Sequence, residues 1–121
     1  MGLIDVTREE FEALVGEALD EIPEEFQAYL DNTLVRIEEE PSPAELQLLR
    51  IRKGSTLLGL YTGTPLTRRD ANFAALPDTI HLYRRPILRA CRTRTEVIQQ
   101  IRETVVHEIG HFFGLSDADL P

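Results

Sequence analysis

Cysteine occurs once in the 121 residues, methionine once and tryptophan not at all. A lone Cys91 excludes an internal disulfide and agrees with a reducing compartment; no motif around it supports a catalytic thiol, so it is expected to be a packed small hydrophobe. No apolar run approaches the 18 or so residues that would span a bilayer, and no basic segment followed by an apolar stretch opens the chain. Met1-Gly2 begins like a myristoylation signal, but Val6 stands where that signal needs Ser or Thr. These absences predict a soluble, cytoplasmic protein with no membrane partner. Linkers and repeats are also missing, so residues 1–121 are expected to form one domain, as a monomer or small homo-oligomer.

Basic charge is scarce where acidic charge is dense. Residues 1–48 hold fourteen acidic and two basic side chains, a balance of −12, while residues 49–121 hold seven and eleven, a balance of +4. Arg84, Arg85, Arg89, Arg92 and Arg94 carry few interleaved aromatics and no recognisable nucleic-acid motif, and the overall charge of −8 opposes a phosphate backbone. No nucleic-acid partner is expected. The asymmetry predicts charge matching between the two halves, or between subunits.

The remaining pattern is that of alternating helices and strands. Thr7 with Glu10 makes a capping box before the helical repeat Phe11, Leu14, Val15, Ala18, Leu19, Ile22, which Pro23 stops. A short helix over 24–30 and a strand over 33–39 follow, the latter ended by Pro41-Ser42-Pro43. Residues 44–49 suit one or two helical turns, the apolar run 56–62 a strand, 63–78 a long irregular loop, 79–84 a third strand and 86–91 a short helical turn. The last helix has Thr93 and Glu96 as a second capping box and runs to about Phe113. Val97, Ile98, Ile101, Val105, Ile109 and Phe112 form its expected buried stripe, and Gln100, Thr104, His107, His111 and Gly114 a neighbouring face that can border a cleft.

Near the end of that helix the chain reads His107-Glu108-x-x-His111-x-x-Gly114-x-x-Asp117. Residues four apart on a helix lie about 6 Å apart on one face, so His107 and His111 can close on a single ion, and imidazole suits Zn2+. Glu108 is rotated by about 100° from His107 and can reach an activated water as general base. Gly114 permits a left-handed turn that ends the helix. That turn would bring Asp117 back as a third ligand, leaving a fourth position for water, as in catalytic zinc sites. The plainer alternative takes both histidines as ordinary helix residues and Gly114 as a C-cap, but chance yields H-E-x-x-H in only about one chain of this length in several hundred.

At these residues the chain resembles the small bacterial zincin-like metallopeptidases, along 58–66 (LGLYTGTPL), 76–80 (LPDTI), 83–87 (YRRPI) and 104–120. The resemblance implies an α+β minimal zincin-like fold: a small mixed sheet of three to four strands packed on an N-terminal backing helix and a C-terminal active-site helix. It also implies one zinc ion held by His107, His111 and Asp117, Glu108 as the base, and a peptide or protein substrate. The sole methionine is Met1, so the methionine turn of the related metzincins is missing. That motivates the rival reading, a catalytically weak or inactive metal-binding interaction domain. Tyr61, His81 and Tyr83 are the candidates for stabilising an oxyanion, and a strand over 56–62 is a candidate for holding an extended peptide.

Overall fold

The computed structural model describes residues 4–31, 33–52, 55–63 and 78–114. Among the described residues the elements follow in the order α1 (Arg8–Asp20), α2 (Glu24–Leu30), β1 (Thr33–Glu38), α3 (Pro43–Leu48), β2 (Gly59–Thr62), β3 (Asp78–Tyr83), α4 (Arg84–Arg89) and α5 (Arg94–Phe113). The fold is α+β.

Side-chain caps start α1, α3 and α5. The Thr7 hydroxyl accepts from the Glu10 N–H at 3.1 Å while the Glu10 carboxylate accepts from the Thr7 N–H at 3.0 Å, a closed capping box for α1. Ser42 and Glu45 make the same reciprocal pair ahead of α3, with Pro43 at its first position. The expected box at α5 is only half made. Thr93 accepts from the Glu96 N–H at 3.1 Å, but the Glu96 carboxylate turns one residue further back and accepts from the Arg92 N–H.

The sheet is mixed, in the order β1-β3-β2. β1 runs parallel to β3 with Val35 opposite Ile80, and β2 runs antiparallel to it with Tyr61 opposite Ile80. β3 is therefore central, which explains why Ile80, Leu82 and Tyr83 are fully buried. Strand pairing in β2 begins at Gly59 rather than at 56, although the Tyr83 N–H still donates to the Leu58 carbonyl at 3.0 Å.

Side chains alternate across a strand, so Ile80 and Leu82 share one face with Tyr61 and Gly59; α5 packs against the sheet and α1 packs on α5. Phe11, Leu14, Val15 and Ala18 of α1 meet Val97, Ile101, Val105 and Ile109 of α5 in one cluster with that face. Each such aliphatic or aromatic side chain contributes about 1.5–3 kcal/mol by leaving water. Two members of the expected α5 stripe differ. Ile98 is only half-buried and Phe112 is 41% exposed. Thr104 and Val106 are buried instead.

The charge asymmetry of the sequence is resolved within the chain. Arg84 donates to the Glu39 carboxylate at 2.7 Å and to the Val6 carbonyl, Arg89 makes a two-pronged pair with Glu40, and Arg94 reaches Glu10 at 2.7 Å. Acids of the first half thus hold arginines of the second.

Candidate metal and catalytic site

The motif lies on the last two turns of α5, which keep one side in the core. Val105, Ile109 and Gly110 face inward and are buried, which turns His107 and His111 outward to solvent. Their ring centroids are 6.3 Å apart with planes crossing at 72°. That separation, on one exposed face and one turn apart, can be closed on a single ion by a small rotation of two unhindered side chains. Two imidazole nitrogens are a donor set that suits zinc, so these residues fit the ion the motif implies. Among the described residues, no third His, Cys, Asp or Glu converges with them to complete a ligand set. Asp117, the expected third ligand, lies outside the described residues, as does most of the expected loop over 63–78. Gly114 is described, and it ends α5 with φ 69°, ψ 29°, the left-handed conformation expected of it.

Glu108 points elsewhere. It is half-buried against β2, where its carboxylate accepts from the Tyr61 backbone N–H at 3.1 Å. Burial raises its pKa above the ordinary glutamate range, opposed first by the Tyr61 N–H and then by the fields of His111 and His107. A carboxyl so placed holds a proton more readily than a free one, the property wanted in a group that takes a proton and returns it.

Two close approaches position that carboxylate. At Gly59 a Cβ would stand 2.6 Å from the Thr104 methyl and 3.0 Å from the His81 carbonyl oxygen, so β2 lies on α5 more tightly than any side chain allows. At Gly63 a Cβ would meet Asp78 Oδ1 at 2.7 Å and the Phe112 ring at 2.8 Å. Phe112 stacks on Tyr61 with centroids 4.2 Å apart, and Phe113 reaches Tyr29 of α2 at 4.7 Å, so the end of α5 is clamped by aromatics to both β2 and α2.

The three candidate oxyanion donors are engaged away from the histidines. The Tyr61 hydroxyl donates to the buried Asp78 carboxylate at 2.7 Å. His81 lies on the opposite face of the sheet, its ring nitrogens 3.0 Å from Glu38 and 3.1 Å from Thr62. Tyr83 is fully buried and donates to Glu45 at 2.8 Å; burial and that carboxylate push its phenol well above its ordinary pKa. The group that does touch the site from this set is the Tyr61 main chain. Sequence reasoning passed over it because a backbone donor leaves no residue-type signature, although a glycine inside an apolar strand, Gly59, was a sign of close approach.

A family model described as zincin-like metallopeptidase matches residues 30–121. No curated protein matches the chain. Among solved structures, a conserved hypothetical protein from Thermus thermophilus superposes with a TM-score of 0.59 at 28% identity, over 89% of this chain and 94% of that one.

Proposed function

This chain belongs to the zincin-like metallopeptidase family, and on that premise we propose that it hydrolyses peptide bonds with one zinc ion, Glu108 acting as general base. The observation that carries the reading is the division of labour across one helical turn. His107 and His111 stand open to solvent, while Glu108 beside them is half-buried with a backbone donor on its carboxylate.

His107 and His111, with Asp117 as the third ligand, would hold the ion. When bound, zinc supplies Lewis-acid polarisation of the scissile carbonyl and acidifies water to near neutral pH. Glu108 takes the proton of the attacking water and delivers it to the leaving amine. The Tyr61 N–H fixes the carboxylate during this cycle, so that it does not swing to solvent. Among the described residues β2 is an edge strand, so an extended peptide can lie beside it by strand addition. The Tyr61 N–H is already given to Glu108, so pairing must use other main-chain groups of that edge.

Zinc-loaded protein incubated with a peptide library should show cleavage products by mass spectrometry, and Glu108→Gln should reduce the rate by about 10²–10⁴. Equal cleavage by both proteins would refute the role of Glu108. Zinc binding with no cleavage by either would favour the alternative, an interaction domain that keeps the metal site without turnover. Zinc at about one hundred times its Kd should raise stability by about 2.7 kcal/mol, and chelator should reverse the shift. His107→Ala, His111→Ala and Asp117→Ala should each abolish it.

A further inference from the structure

A groove of about 300 Å³ leads from His107 and Glu108 towards the N-terminal end of α5, between that helix and residues 56–59. Its walls differ. Leu57 and Leu58 make the strand side apolar, while Gln100, Glu103 and Thr104 make the helix side polar. The floor is closed where Gly59 meets Thr104 without room for a Cβ, so a side chain entering the groove must run along it. Glu103 is the one charged group among the described lining residues other than Glu108. It lies on the same helix face as His107 and one turn away, about 6 Å along the axis. It is exposed, and its carboxylate accepts only a 3.3 Å contact from the Gln99 amide among the described residues. The Gln100 amide gives one hydrogen to the Thr104 hydroxyl, so the helix wall is left richer in acceptors than in donors.

We propose that Glu103 is a specificity-determining residue that selects an arginine or lysine side chain beside the scissile bond of the peptide substrate, an inference that rests on the peptidase reading. An aliphatic stem lies along Leu57 and Leu58, and its cationic end reaches Glu103 one helical turn from the histidines. Short side chains stop before the carboxylate, and acidic ones are repelled by it. The pair is open to solvent, so the selectivity it confers is several-fold.

The test is binding of short fluorescent peptides that differ only in carrying Arg, Lys, Met or Glu at one position, scanned along the peptide. The protein is zinc-loaded Glu108→Gln, with and without Glu103→Gln or Glu103→Lys. At one position Arg and Lys should bind about fivefold tighter than Met and about tenfold tighter than Glu. Glu103→Gln should abolish that order and Glu103→Lys should invert it, with the melting temperatures of both near that of the parent. Equal affinities, no binding, or an order unchanged in both variants would overturn the assignment. Glu108-dependent cleavage without basic preference would reject Glu103 and leave the peptidase reading intact. Arg-selective binding without cleavage by the native protein would do the reverse.

Discussion

Gly59→Ala isolates the contact that holds β2 to α5. Gly59 does not have positive φ, so the backbone accepts alanine and the cost is purely steric. The new methyl would stand 2.6 Å from Thr104 Cγ2 and 3.0 Å from the His81 carbonyl oxygen, against about 3.5–4.0 Å for carbon atoms at rest. β2 must lift, or Thr104 must rotate, by about 1 Å. Overpacking of this kind costs about 1–3 kcal/mol, and a stiffer unfolded chain returns about 0.4–1 kcal/mol. The net loss is about 1–2 kcal/mol, measured as a shift of the urea midpoint at unchanged slope, with a fall in Tm of about 5 °C or more. Thr104→Ser removes the methyl that clashes, so in the double variant most of the loss should be recovered as coupling energy, with a remainder from His81. Lifting β2 also draws the Tyr61 N–H from Glu108, now 3.1 Å away, so peptide hydrolysis should fall in Gly59→Ala and return with Thr104→Ser. A stability change below about 0.3 kcal/mol, or a double variant with no coupling, would refute the reasoning.

Two further outcomes follow from local geometry. Glu45 accepts from the Ser42 N–H at 2.8 Å, and this contact, ahead of the Tyr83 hydroxyl and against burial, holds its pKa below the ordinary glutamate range. A depressed folded-state pKa adds stability that is present above the unfolded value and lost as pH falls through the folded one. Glu45→Gln should therefore be about 0.5–1 kcal/mol less stable at pH 7, and the gap between the two unfolding curves should shrink as acid protonates Glu45; a gap that does not change with pH would contradict the assignment. Arg50 has φ 57° at the end of α3, where the Ile51 N–H closes back on the Leu46 carbonyl. Arg50→Gly should stabilise by about 0.5–1 kcal/mol in thermal unfolding, and a lowered Tm would rule out a left-handed residue there.

What the chain announced by itself was much of what is decided within about four residues, the half-made box at Thr93 and Glu96 excepted. Thr7 with Glu10 foretold the start of α1, Pro23 its end, and Gly114 the left-handed close of α5. His107 and His111 were readable as a pair because helical spacing alone brings them to one face. Even the pairing of the acidic first half with arginines of the second was legible, as a balance of charge rather than as partners.

Tertiary structure decided what depends on residues far apart in the chain. The order β1-β3-β2 makes β3 central and leaves β2 at the edge, and no local pattern in a six-residue strand specifies its neighbours. Phe112 has the periodicity of a core residue, yet it is 41% exposed with its ring stacked on Tyr61, because burial depends on what lies opposite and not on spacing alone. The Glu108 carboxylate meets a main-chain N–H 47 positions away only because Gly59 lets β2 come down on Thr104. Residue types and spacing determined which groups can do chemistry. Close packing between a strand and a helix determined which of them is half-buried and held.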